Sequence, residues 1–327
     1  MFLISENFRV QNRNFPYIIT LGNNYNEMNF KKTIINQINK LTYVRNLYKQ
    51  TLNTAHPNGH FYSPVFSIED IKKRQSEIWK NVENDGILGI SLQTENQKKL
   101  ISFFKEYCKE IPFKAEKQSN IRYHYDNTYY SYTDAIILYS MIRHFEPKKI
   151  IEIGCGFSSS VMLDTNELFF NHSIDLTFID PNPERLYSQI TDKGTINIKI
   201  IERHVQQVPL DTFEKLQAKD ILFIDSTHVS KTGSDVNHIL FEILPRLKRG
   251  VLIHFHDIFY PFEYPKDCVF RGFNWNENYI LKAFLMYNDL YEIKLFPDYL
   301  QKHHNDCFKD LTLAFKKTGQ NLWIEKK

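Results

Sequence analysis

Two short segments place proton-handling and metal-ligating side chains close together: Asp225-Ser-Thr-His228 and His254-Phe-His256-Asp257. Each closes a short apolar run, DILFID (220–225) and GVLIHFHD (250–257). An imidazole titrates near neutrality, so His228 or His256 could take the proton of an attacking hydroxyl. Carboxylates at neighbouring strand ends could hold a divalent cation that lowers the pKa of that hydroxyl. If the second run is a strand, alternation puts His254 and His256 on one face and Phe255 on the other.

A third segment, Ile150-Ile-Glu-Ile-Gly-Cys-Gly-Phe-Ser-Ser-Ser160, reads as a strand, a tight turn and a helix start, with Ser158 placed to cap the helix. Gly154 and Gly156 lack a Cβ and let the backbone pass close to a ligand. A dinucleotide fingerprint needs a third glycine where this chain has Ser159. Glu152, two residues before Gly154, would repel a pyrophosphate and suits a cationic ligand such as the amino group of a methionine moiety. Asp180, closing IDLTFID (174–180), can accept both hydroxyls of an adenosine ribose.

Positioning these groups requires a particular scaffold. KIIEIG (149–154), IDLTFID, INIKII (196–201), DILFID and GVLIHFHD alternate with helical stretches starting near Ser158, Pro183, Leu210 and Ser234. That rhythm predicts βαβ crossovers and a parallel sheet covered on both faces. YEIKLF (291–296) and NLWIEK (321–326) follow as strands, with no full helical crossover after the last. Ligands of such sheets bind beyond the carboxyl ends of the strands. Glu152, Asp180, Asp225 and Asp257 all fall at that edge, and four acids there argue for a site.

Upstream, residues 1–118 read as a mostly helical N-terminal portion and 119–327 as the α/β domain. The expected N-terminal helices cover 35–50, a capping box at Ser67-Ile-Glu-Asp70 running to about Val82, and 96–108.

Composition bounds the partners. The 327 residues are 42% hydrophobic, 15% aromatic and 24% charged, a globular profile large enough for a sizeable core. Lys+Arg 41 against Asp+Glu 38 gives +3, too balanced for an electrostatically driven nucleic-acid binder. Four scattered cysteines without a CxxC pair read as free thiols. No run spans a bilayer and the start carries no secretory pattern, so the expected location is the cytoplasm. The partner expected is a small-molecule or glycan acceptor; homo-oligomer formation is left open.

EIGCGFSSS, followed by FIDPNPERL and FIDSTH, resembles the class I S-adenosylmethionine-dependent methyltransferases over roughly residues 120–327. The resemblance implies a Rossmann-like seven-stranded sheet in order 3-2-1-4-5-7-6 with strand 7 antiparallel. It implies S-adenosylmethionine as cofactor, its methionine end at Glu152, Gly154 and Gly156 with Cys155 and Ser158 of the same turn, its ribose at Asp180 and its adenine near Gln206. DSTH is similar to the D-G-S-H segment of metal-dependent sugar O-methyltransferases, which implies Asp225 as a ligand of Mg²⁺ or Mn²⁺ and His228 as base. That group carries an acidic pair after strand 5, where this chain has His256 and Asp257. Imidazole suits Mn²⁺, Fe²⁺ or Zn²⁺ better than Mg²⁺, and a metal-free site with His228 or His256 as base is the alternative.

GHFYSPV (59–65), NTYYSYTDAIILYSMIRHF (127–145) and HFHDIFYPFEYP (254–265) are similar to a bacterial methyltransferase group associated with surface-glycan and secondary-metabolite pathways. Tyr260, Phe262, Tyr264 and Trp275 read as a packed loop or as a wall for a sugar. Tyr123, Tyr125, Tyr129, Tyr130 and Tyr132 read as core or as a cover for the cofactor. The resulting expectation is O-methyl transfer to a sugar or polyhydroxylated small molecule. Its rivals are a nicotinamide-dependent oxidoreductase on a similar sheet and a non-catalytic interaction module.

Overall fold

In a computed structural model of the chain, residues 54–130, 132–190, 197–311 and 316–327 are described, with a few positions between 33 and 46. Most of the helix expected over 35–50 lies outside the described residues. The chain divides into two units, Met1–Phe66 and Ser67–Lys327.

Seven strands form where the apolar runs predict them: β1 Lys149–Ile153, β2 Asp175–Ile179, β3 Ile198–Ile201, β4 Ile221–Ile224, β5 Leu252–His256, β6 Tyr291–Leu295 and β7 Asn321–Lys326. The sheet order is β3-β2-β1-β4-β5-β7-β6. β1 to β5 pair in parallel, while β7 runs antiparallel to both β5 and β6. β4 is ILFI and buried at every position, as a central parallel strand covered on both faces requires. Register sets the site: Glu152 pairs with Phe223 and Phe223 with His254. The residues just beyond β1, β4 and β5 therefore emerge side by side.

Two helices flank β1. Tyr132–Phe145 is buried from Tyr132 through Ile142, and Phe157–Phe170 is buried from Ser158 through Asn166. Two of the later crossovers are shorter than the pattern predicts. Glu184–Tyr187 and Asp211–Glu214 are single turns, and Asp235–His238 widens into a π-helical turn before Pro245. Proline lacks the amide that would continue the regular ladder.

The capping box at Ser67 is present, Ser67 Oγ accepting from the Asp70 amide. Its helix stops at Lys73, resumes over Gln75–Ile78 and ends short of Val82. The helix expected over 96–108 spans Thr94–Cys108. Its Gln97 Oε1 accepts from the Phe296 amide at 2.7 Å, which fastens it to the end of β6. Residues 67–118 fall in the same compact unit as the sheet. Among the described residues no helix is long and apolar enough to cross a membrane, and all four cysteines are free.

Candidate active site

The turn after β1 is determined by how closely β4 ends beside it. Gly154 has φ +84°, and a Cβ there would lie 2.0 Å from the Asp225 carbonyl oxygen. No L side chain fits that space in that conformation. The turn amides all find acceptors: Gly154 N donates to Ile179 O at 2.9 Å, Cys155 N to Asp180 Oδ2 at 2.9 Å, and Gly156 N to Ser159 Oγ at 3.0 Å. Gly156, rather than Ser158, is the N-cap of the following helix.

Ser158 and Ser159 turn inward and donate to the two carboxyl oxygens of Glu152. Glu152 is fully buried, and burial pushes its pKa up to about 8 despite both serines. The acid expected to meet a ligand cation is thus enclosed behind the turn.

A pH prediction follows from that enclosure. Between the free-chain value of 4.5 and about 8 the folded state binds the extra proton. Stability is therefore full below the lower value and falls as pH rises through the higher one. Unfolding free energy should decline from pH 5 to 9 by an amount on the order of a few kcal/mol, read as a falling melting temperature. Glu152→Gln, neutral throughout, should flatten part of that decline in thermal melts; an unchanged slope would show that Glu152 ionises freely.

Beyond the strand ends lies a cleft of about 360 Å³, bordered by Gly154, Asp180, Gln206, Asp225 and Ser226. That is within the range of about 300–1,000 Å³ for small-molecule sites. Gln206 is aimed by its own bond to Gly233 O at 2.9 Å. Of the expected cofactor residues, Gly154, Asp180 and Gln206 line this cleft, Cys155 and Gly156 form its rim turn, and Glu152 and Ser158 lie inside the protein. A carboxylate and an amide lining one cleft suit the ribose and base of a nucleoside.

The Asp225–His228 segment packs against the start of the helix Glu277–Leu285. His228 O accepts from the Asn276 and Glu277 amides at 3.0 and 3.2 Å, and Asn276 brackets Ser230 through both its side-chain atoms. These bonds hold His228 in a left-handed conformation (φ 60°), which costs on the order of 1–3 kcal/mol. Ser226 Oγ accepts from the His228 amide and donates to Glu277 Oε2, both at 2.9 Å.

The buried carboxylate of Glu277 stands 2.9 Å from His228 Nδ1. A carboxylate accepts, so Nδ1 carries a hydrogen. Nε2 lies 3.5 Å from Asp225 Oδ1 and 3.6 Å from Asp257 Oδ2. Burial disfavours the imidazolium, but the surrounding carboxylates, Asp225 and Glu277 foremost, outweigh it and raise the His228 pKa well above the ordinary value. The Trp275 ring lies 4.5 Å from the imidazole, with Phe273 stacked behind it at 4.6 Å.

Glu277 is the residue that sequence reasoning missed. An acid in the first turn of an apolar-periodic helix reads as a response to the helix dipole, and nothing local couples it to a histidine 49 positions earlier.

The other expected residues divide. His254 is not part of the site: it stacks on Phe223 at 3.8 Å, packs against Trp323, and burial drives its pKa well below the ordinary value. His256 is also buried, with Nε2 3.8 Å from Asp257 Oδ1 and its ring 5.1 Å from Tyr130. Among the described residues no three His, Cys, Asp or Glu side chains converge on a metal position. Asp257 stands between the two imidazoles, with one oxygen 3.6 Å from His228 Nε2 and the other 3.8 Å from His256 Nε2.

Tyr260, Phe262 and Tyr264 are packed inside, not displayed as a wall. Tyr260 Oη binds the Gly86 amide and Asn84 O, and Trp79 Nε1 donates to Tyr264 O at 2.9 Å. Tyr123, Tyr125, Tyr130 and Tyr132 are core; only Tyr129 of that set is exposed.

A family model described as a methyltransferase domain matches residues 151–258. An uncharacterized protein of Archaeoglobus fulgidus is 31% identical over 182 residues, which are 54% of this chain and 80% of that protein. Among solved structures, the chain is similar to the Podospora anserina methyltransferase PaMTH1 bound to S-adenosylhomocysteine (15% identity, 84% of this chain and 99% of that one, TM-score 0.39). It is also similar to the O-methyltransferase TomG of Streptomyces achromogenes in complex with S-adenosylmethionine (12% identity, 71% and 90%, TM-score 0.38).

A parallel sheet in this order with its seventh strand reversed, a glycine turn after β1 and an acid after β2 define a nucleoside-binding α/β enzyme. The chain belongs to the class I S-adenosylmethionine-dependent methyltransferases. The nicotinamide and interaction-module readings are set aside accordingly.

Proposed function

We propose that the protein is an O-methyltransferase acting on a hydroxyl of a sugar or polyhydroxylated small molecule, with His228 as general base. The observation that carries this reading is the Glu277–His228 pair, 2.9 Å apart at Nδ1. His256 has no comparable partner; its Nδ1 is buried without a hydrogen bond among the described residues.

Bound S-adenosylmethionine supplies an electrophilic methyl group on a sulfonium. The chain's own residues do the rest. Glu277 holds the Nδ1 hydrogen and fixes the tautomer of the neutral ring, whose Nε2 would accept the proton that the acceptor hydroxyl loses. The carboxylates around it raise the His228 pKa, so the neutral ring is favoured when their charge is offset. Asp225 and Asp257 flank that nitrogen from two neighbouring strand ends. The Trp275 face beside His228 is suited to stacking on a sugar or other ring.

Asp225 and Asp257 are also the residues that would hold a divalent cation, which would lower the pKa of the acceptor hydroxyl and orient it. Two hard carboxylates, with water and acceptor oxygens completing the shell, fit Mg²⁺ or Mn²⁺. The charge of such a cation would offset that of the carboxylates at Nε2.

The test is to incubate the purified protein with S-adenosylmethionine and a panel of hydroxylated sugars and ring compounds, following S-adenosylhomocysteine release and locating the new methyl by NMR. Methylation at oxygen is expected; transfer to nitrogen or carbon overturns the reading. With an active acceptor in hand, EDTA should cut turnover about tenfold or more, with recovery on adding Mg²⁺ or Mn²⁺. Unchanged turnover in EDTA removes the cation from the mechanism.

A further inference from the structure

With Glu152 enclosed by Ser158 and Ser159, a cation is the next charged group to meet a ligand's amino-acid end at the glycine turn. The guanidinium of Arg185 lies over the turn: its Nη1 is 3.6 Å and its Cδ 3.8 Å from where a Gly156 Cβ would stand. Arg185 comes from the short helix Glu184–Tyr187 after β2. Its guanidinium carbon rests 4.0 Å from the centre of the exposed Tyr129 ring. Stacking on a ring face holds a guanidinium in place while leaving its edge N–H groups free. Among the described residues Arg185 forms no ion pair with any acid.

The three amides of the turn are already spent on Ile179 O, Asp180 Oδ2 and Ser159 Oγ. A ligand carboxylate arriving at this turn finds none of them available. The cation that remains for it is Arg185, whose planar fork matches a carboxylate with two parallel hydrogen bonds.

We propose that Arg185, seated on Tyr129 over the Gly154–Gly156 turn, binds the α-carboxylate of the methionine moiety of S-adenosylmethionine. Arg185 is thereby the residue that distinguishes the intact cofactor from nucleosides lacking the amino-acid end. The proposal rests on S-adenosylmethionine occupying the cleft at β1 and β2, but not on the identity of the acceptor or on a metal.

The experiment is a calorimetric comparison of two ligands on wild type, Arg185→Ala and Arg185→Lys. S-adenosylhomocysteine carries the carboxylate, and 5′-methylthioadenosine has the same nucleoside without it. Arg185→Ala should weaken S-adenosylhomocysteine binding about 10- to 100-fold, the range for a lost charge-assisted hydrogen bond. Its affinity for methylthioadenosine should stay within about twofold, which also shows that the variant is folded. Arg185→Lys should recover part of the loss. Equal losses for both ligands, or no loss for either, overturn the role of Arg185 while leaving the cofactor site intact. A wild type that binds neither ligand overturns the occupancy of the cleft, and the proposal with it.

Discussion

His228→Ala is expected to lower the rate of methyl transfer by about 10²- to 10⁴-fold, the usual contribution of a positioned general base. S-adenosylhomocysteine affinity should stay within a few-fold, because the cleft residues Gly154, Asp180 and Gln206 do not depend on the imidazole. Glu277→Gln provides the second arm. It preserves shape, but an amide can present its NH₂ to Nδ1 and favour the tautomer with the hydrogen on Nε2, where a base must be free. Its loss of kcat should fall between wild type and His228→Ala. Single-turnover assays with an active acceptor, alongside calorimetry with S-adenosylhomocysteine, separate the two quantities. Unchanged turnover in His228→Ala would dismiss it as the base, and full activity in Glu277→Gln would reduce Glu277 to a packing residue.

Gly154→Ala should be the most destabilising single-methyl addition in the sheet. The added Cβ would meet the Asp225 carbonyl oxygen at 2.0 Å, and the backbone conformation at φ +84° is itself unfavourable to alanine. Neither strand end yields easily. Asp225 N donates to Ile153 O at 2.8 Å, and β1 and β4 sit at the centre of the sheet. A loss of about 3–5 kcal/mol is expected, read as a fall in melting temperature of roughly 5–10 °C. Cofactor binding should weaken too, since the same displacement moves the Asp180-anchored turn. Gly156→Ala is the control: the nearest atoms to its Cβ are the movable end of Arg185 at 3.6 Å and beyond, so its stability cost should be about 1 kcal/mol or less. Equal melting temperatures for the two variants would show that β4 can give way at Asp225.

The strands were legible because each is a run of β-branched and aromatic residues bounded by polar punctuation, and their rhythm predicted parallel pairing. The crossovers were less legible. The helix expected from near Leu210 is only the single turn Asp211–Glu214, whereas the one expected from near Ser234 runs on to Arg246, changing to π-helical and then 3-10 hydrogen bonding as it reaches Pro245. The attachment of the helix Thr94–Cys108 to the sheet escaped a reading by rhythm, because the bond that makes it, Phe296 N to Gln97 Oε1, spans nearly 200 residues.

At the site, local pattern identified chemistry-bearing types without their state. Alternation put His254 and His256 on one face, and it could not say how deep each sits. Depth is decided by the neighbours across the sheet, Phe223 and Trp323, which leave His254 in the core. Glu152 carries the right charge for a ligand cation, yet two serines from the following helix enclose it, and their direction depends on how that helix docks.

By itself the sequence determined the class of fold, the edge of the sheet where the candidate residues gather and the residue types there, since strand periodicity and the glycine turn are local properties. Tertiary structure alone decided which of those residues face the cleft and which partner each one has. The bond from Glu277 to His228 and the seat of Arg185 on Tyr129 join segments 49 and 56 positions apart. Electrostatic and hydrogen-bonding energies act through distances in space, and only the packed fold sets those.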